Sequence, residues 1–171
     1  MLPADPAKLH KVVVLGDQAD KVFLGGYSGA PSEQISVWQG ITDALPGAQV
    51  IYDSGQSSTT STSPASLKPE TEAAIRDADL VVIMVGTDAK SSAEGTDRSS
   101  IAMPGNYNSL VEKAASLGNQ KIALLVQSGG VVNLQAVKDR VAAILYSGPN
   151  GQRQGAAAAD ALFGRVNRAG T

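Results

Sequence analysis

Five short runs rich in Val, Ile and Leu punctuate the chain, at 12–15, 49–52, 80–85, 121–127 and 142–146. Several are apolar without interruption rather than alternating, the pattern of strands covered on both faces in a parallel sheet. Between them lie stretches compatible with helix at 32–45, 68–78, 106–117 and 134–140, and an alanine-rich one at 155–163. Strand alternating with helix predicts a doubly wound α/β sandwich. Its sheet should be mostly parallel, of about five or six strands, with right-handed crossovers and helices on both faces. Ser32 before Glu33 reads as a helix cap, and Pro69 with Glu70 suits a first helical turn. Gly118 and Gly164 stand where helices should stop. Trp38, Ile41 and Leu45 share helical spacing and read as core.

With 171 residues, there is room for one domain with a proper core and not comfortably for two. Two long connections stand out. The tract 54–66 is rich in Ser and Thr, has little to bury, and reads as a mobile surface loop or tolerated insertion. The connection 87–105 carries Asp88, Glu94, Asp97 and Arg98 and begins where a central strand should end. Ligands of open α/β sheets gather at that end, so this segment is the candidate active-site loop.

Composition narrows the function classes. A net charge of -2 gives no electrostatic reason to expect a nucleic acid or an anionic membrane as partner. The chain has no cysteine, which excludes disulfides, thiolate metal sites and cysteine nucleophiles. The opening residues, Met1 to Pro6, lack the basic and apolar stretches of a signal peptide. No apolar run approaches the ~20 residues that span a bilayer. The chain as given is therefore expected to be soluble, and its compartment is left open. The glycines around Gly16 and Gly25 do not form a dinucleotide fingerprint. With a single histidine, His10, a histidine metal site is not expected either. Ser128 lies outside a nucleophile-elbow pattern. No cofactor is expected.

The segment Ser92-Ala93-Glu94-Gly95-Thr96-Asp97-Arg98 sets an acid beside a glycine and ahead of an Asp-Arg pair. A glycosidase needs a carboxylic acid that protonates the leaving oxygen and later serves as base. A glutamate on a loop at a strand end suits that work, and Gly95 would free the backbone to aim it. Asp97 and Arg98 read as loop supports, by ion pairing or by bonding backbone groups. The residues alone leave open a plainer reading, in which Glu94 is a solvated loop carboxylate.

Several segments, in order, resemble the second domain of family 3 glycoside hydrolases. They are Val12-Val13-Val14-Leu15-Gly16 with Asp20, Leu24-Gly25-Gly26-Tyr27-Ser28-Gly29, and the stretch 79–86. Glu94-Gly95-Thr96-Asp97-Arg98 follows, then Ile101-Ala102-Met103-Pro104-Gly105, Gln127-Ser128-Gly129-Gly130, and the stretch 160–167. The set covers nearly the whole chain. The resemblance implies a retaining exo-acting β-glycosidase, of β-glucosidase or β-xylosidase type, acting on a β-linked glucoside or xyloside. In such enzymes an aspartate nucleophile comes from an N-terminal barrel and the α/β domain frequently supplies the acid/base, which falls here on Glu94. Gly95, Asp97 and Arg98 become its supporting loop residues. Residues 1–171 are then a single domain, a fragment or detached second domain of a larger glycosidase, inactive without its barrel.

The sequence departs from the family at Gly129-Gly130-Val131, at the turn 148–155, and at its last residues. Two other classes remain as alternatives: a non-catalytic carbohydrate-binding or docking module, and nucleotide binding by the sheet, which rests on fold analogy alone.

Overall fold

A computed structural model describes residues 1–95 and 97–167. Five parallel strands form one sheet: β1 (Lys11–Leu15), β2 (Gln49–Asp53), β3 (Leu80–Gly86), β4 (Ile122–Gln127) and β5 (Ala143–Ser147). Their spatial order is β2-β1-β3-β4-β5. The register places Val13 beside Ile51 and Val81, and Ile83 beside Leu124. The uninterrupted apolar runs are the central strands, and β3 and β4 are buried along their whole length. The edge strands β2 and β5 are only partly covered.

Alternate residues along each central strand feed two separate cores. Val13, Leu15, Val81, Ile83, Leu124 and Val126 pack on one face against Ile75, Leu110 and Val111. Those partners come from α2 (Pro69–Asp77) and α3 (Tyr107–Ala115). Val12, Val14, Val82, Met84 and Leu125 pack on the other face against Ile41 and Leu162, from α1 (Val37–Ala44) and α4 (Gln154–Leu162). The arrangement is a three-layer sandwich. The chain moves outward from β1 to β2 under α1, then crosses back to β3 under α2 on the opposite face. Every crossover can then keep the right-handed sense, and the winding reverses between β1 and β3.

On the α1 face, α1 and α4 meet at glycines. A Cβ on Gly40 would lie 2.2 Å from the Gly155 carbonyl carbon, and one on Gly155 would lie 1.9 Å from Ser36 O. Only hydrogen side chains permit that approach. Trp38 stacks on Tyr52 with ring centroids 5.1 Å apart, so the α1 aromatic covers edge strand β2, while Ile41 and Leu45 are buried as core.

Two expectations are corrected. The stretch 134–140 forms only a 3₁₀ turn, Lys138–Arg140; Val132 and Val137 still cover the sheet, but as an irregular strap. The first helix begins at Val37, capped by Ser36, whose Oγ accepts from Gln39 N. Ser32 lies at a bend in an irregular stretch, which is held further on by Ile35 N–H bonded to Gln152 O and Gly155 N–H bonded to Ile35 O. The expected start of α2 is found, with Pro69 in the first turn and Glu70 and Glu72 beside it.

Candidate active site

The carboxyl ends of the strands carry the polar chemistry. At the reversal point, Asp17 follows β1: its N–H is bonded to Ser57 Oγ (3.1 Å) and its carboxylate accepts from the Tyr107 hydroxyl (2.7 Å) and Lys21 Nζ (2.7 Å). Burial first, then the hydrogen bond and charge of Asp17, hold the Tyr107 phenol well above its ordinary ionisation range. Tyr52 is raised to about 12 by burial and, secondarily, by Asp20, Asp17 and Asp53. Deeper, Gln127 Nε2 donates to Gln154 Oε1 at 3.0 Å, and Gln154 in turn donates to Lys21 O. These groups knit the top of the sheet together.

The connection leaving β3 rises above that layer. Its first turn is built on Asp88, whose Oδ1 accepts from Lys90 N, Ser91 N and Ser91 Oγ, each at 3.0 Å. The other oxygen, Oδ2, accepts from Thr59 Oγ1 at 2.8 Å. All the capacity of this carboxylate goes into holding the turn. Glu94 lies past it and is exposed. Gly95 adopts φ +74° with open space around it, a backbone that L side chains rarely take, so the bend beside Glu94 needs glycine.

Beyond the bend, Arg98 donates to Val131 O (3.0 Å) and Ala102 O (2.8 Å). Asn133 N–H is bonded to Ile101 O at 2.6 Å. These bonds tie the returning half of the connection to the loop after β4. Asp97, also exposed, joins Ser92, Ala93, Arg98, Ile101 and Gly130 around an open depression of ≈ 380 Å³. Glu94 follows Ala93, one of the residues that line it. Ile101 and Val131, 58% and 69% exposed, form an apolar rim beside it.

The structure therefore brings Glu94, Gly95, Asp97 and Arg98 onto one exposed loop at the carboxyl end of a central strand. The residues that sequence reasoning did not single out are Thr59 and Asn106. Their signal was faint, because each is a single polar residue in or beside a polar tract. Among the described residues no helix is long and apolar enough to cross a membrane.

The sequence profile of the family described as "Glycosyl hydrolase family 3 C-terminal domain" matches residues 1–171. Beta-D-xylosidase 1 of Arabidopsis thaliana is 32% identical over 173 residues, covering 99% of this chain and 22% of that protein. The beta-xylosidase of Formosa agariphila is 29% identical over 178 residues, covering 99% of this chain and 24% of its own. Among solved structures, a GH3 exo-beta-xylosidase in complex with a xylobiose aziridine probe superimposes with a TM-score of 0.84 at 33% identity. It covers 96% of this chain and 21% of that one. A GH3 beta-glucosidase from Bifidobacterium adolescentis gives 0.79 at 26% identity, over 96% and 24%. The chain thus spans about a fifth to a quarter of these proteins. A family profile that covers every residue, together with the close superposition on these structures, places the chain in the glycosyl hydrolase family 3 C-terminal domain family.

Proposed function

We propose that this chain is the α/β domain of a retaining exo-β-glycosidase and that Glu94 is the general acid/base, working with a nucleophile carried on an N-terminal barrel. The observation that carries the reading is the position of Glu94. It is an exposed carboxylate next to a glycine bend, on the connection that leaves the carboxyl end of central strand β3, and its neighbour Ala93 lines an open depression. A group so placed reaches a substrate held by a second body rather than one enclosed by its own domain. The supporting roles follow: Gly95 shapes the bend, Arg98 ties the loop to its neighbour, and Asp97 lines the depression.

In the proposed reaction the carboxylic acid of Glu94 protonates the glycosidic oxygen as the nucleophile attacks the anomeric carbon. The resulting carboxylate then takes a proton from the water that hydrolyses the glycosyl-enzyme. Retention needs two carboxyl groups roughly 5–5.5 Å apart. Asp88, the nearest acid before Glu94 in sequence, has both oxygens committed to its turn and to Thr59, so it is a poor substitute nucleophile. The isolated chain is accordingly inactive. The names of the sequence relatives favour a β-linked xyloside, with a β-linked glucoside as the alternative sugar.

The apolar rim of Ile101 and Val131 favours docking against the barrel next to the site. It equally suits a module that docks without catalysing, and kinetics separate the two readings. In the intact enzyme, Glu94→Gln should lower kcat/KM for a β-1,4-linked disaccharide by about 10²–10⁴. Aryl glycosides with activated leaving groups should lose far less. Equal losses for both substrates would make Glu94 structural, and robust turnover by the isolated chain would show a self-contained site.

A further inference from the structure

The tract 54–66 holds both feet of the Glu94 loop. At the first foot, Thr59, itself buried, donates from Oγ1 to Asp88 Oδ2 at 2.8 Å. The opposite oxygen of Asp88 closes the turn through the N–H groups of Lys90 and Ser91. At the second foot, Asn106 donates from Nδ2 to Gln56 O (3.1 Å) and Ser63 O (2.9 Å) and accepts from Ser58 N at Oδ1 (3.0 Å). Gly105 packs so closely that a Cβ would lie 1.8 Å from Ser58 O.

The tract is in turn fixed from below. Ser57 Oγ accepts from Asp17 N, Ala65 N donates to Ser109 Oγ, and Ser66 N donates to Gly55 O. Within the 87–105 connection, then, the two ends are held by one neighbouring loop, while Glu94 near its middle remains exposed. A hydrogen bond to a carboxylate is stronger than one between neutral groups, which makes Thr59–Asp88 the firmest single tie at the first foot.

We infer that Thr59 is a positioning residue: through Asp88 it fixes the turn that sets where Glu94 meets the leaving oxygen. This rests on the reading of Glu94 as acid/base, and the tests keep the two apart. In the 171-residue chain, Thr59→Val removes the hydroxyl and keeps the branched shape. Exchange of the Lys90 and Ser91 amides should quicken about tenfold, since one charged hydrogen bond is lost, with the β3 amides unchanged; Thr59→Ser should restore slow exchange.

In the intact enzyme, Thr59→Val should lower kcat for a disaccharide about tenfold and for an activated aryl glycoside less than about twofold, an order-of-magnitude expectation for a displaced proton donor. Its KM should be little changed, and Thr59→Ser should recover the rate. If Glu94→Gln shows leaving-group dependence and Thr59→Val shows none, Thr59 does not position the acid and only this inference fails. If Glu94→Gln itself lacks that dependence, the acid/base reading falls. Should Thr59→Val not fold, Thr59→Ala serves in its place, because it removes the same hydroxyl and leaves the bonds of Asp88 to Lys90 and Ser91 in place.

Discussion

Tracts 54–66 and 87–105 leave strands β2 and β3, which flank β1, and both are polar loops of similar look in sequence. Their chemistry diverges once folded. Ser57 and Thr59 of the first are buried, and their hydroxyls serve Asp17, Ser54 and Asp88. The second exposes Glu94, Asp97, Ser99 and Ile101 and spends its bonds near its two ends and through Arg98. Hydroxyl-rich composition thus marks a brace, where small donors and acceptors satisfy backbone groups at close quarters. The charged loop commits Asp88 and Arg98 to bonds and leaves Glu94 and Asp97 exposed. A surface loop that must meet a separate body gains from being fixed at its feet and open at its crest.

The sharpest way to break this comparison is at the seam. Gly105 sits at φ +57°, and a Cβ there would meet Ser58 O at 1.8 Å. Gly105→Ala adds left-handed strain to a backbone clash, and should cost about 3–5 kcal/mol. Thermal unfolding should show it as a Tm lowered by roughly 10 °C or more. Asn106→Ala strands Ser58 N–H and the carbonyls of Gln56 and Ser63, and should cost about 2–4 kcal/mol. Amides of 57–66 should then exchange far faster than in the parent. Unchanged protection there would mean that the tract holds itself without Asn106.

Alkaline titration tests the base of the brace. Tyr107 follows Asn106, and its hydroxyl is bonded to Asp17, whose N–H in turn donates to Ser57 Oγ. Burial and the neighbouring Asp17 raise its ionisation above the ordinary tyrosine range, and burial raises that of Tyr52 to about 12. A raised folded value means that the stabilising contribution is whole below pH 10 and is lost as pH climbs past it. Each such tyrosine should cost up to about 1.4 kcal/mol per pH unit. Urea midpoints measured between pH 9 and 11 should fall. Tyr107→Phe should flatten part of that slope.

The sheet was legible because continuous apolar runs in 80–85 and 121–127 have no other soluble home than the middle of a covered sheet. Helix placement was less so. The stretch 134–140 has helical spacing, yet tertiary bonds decide it: Asn133 N–H is drawn to Ile101 O and Val132 N–H to the Tyr146 hydroxyl, leaving a strap with a single 3₁₀ turn. Ser32 looked like a cap, but Ile35 is claimed by Gln152 and Gly155, so the helix waits for Ser36. Glu94 became a candidate only through the ordered family motifs, because its own residues read equally as a solvated loop acid. Thr59 did not, because its partner Asp88 lies 29 residues away and nothing local distinguishes one hydroxyl among many.

The smallest expected effects lie on the open crest, and they bear most directly on function. Arg98→Ala removes two bonds to backbone carbonyls at a partly exposed site, so about 1 kcal/mol is the expected loss. Glu94→Gln changes an exposed side chain and should shift the stability of the chain by less than about 0.5 kcal/mol. Denaturant unfolding of the two variants beside Asn106→Ala therefore ranks them in a fixed order. Should Glu94→Gln destabilise the chain as much as Asn106→Ala does, the glutamate would be part of the fold's own bonding, and the separation of brace from crest would collapse. If it leaves stability intact while the intact enzyme loses turnover on a poor leaving group, then the loop's chemistry and its support are carried by different residues. A domain that completes its site only against another body needs that separation, because its crest can then bear an acid without the fold depending on it.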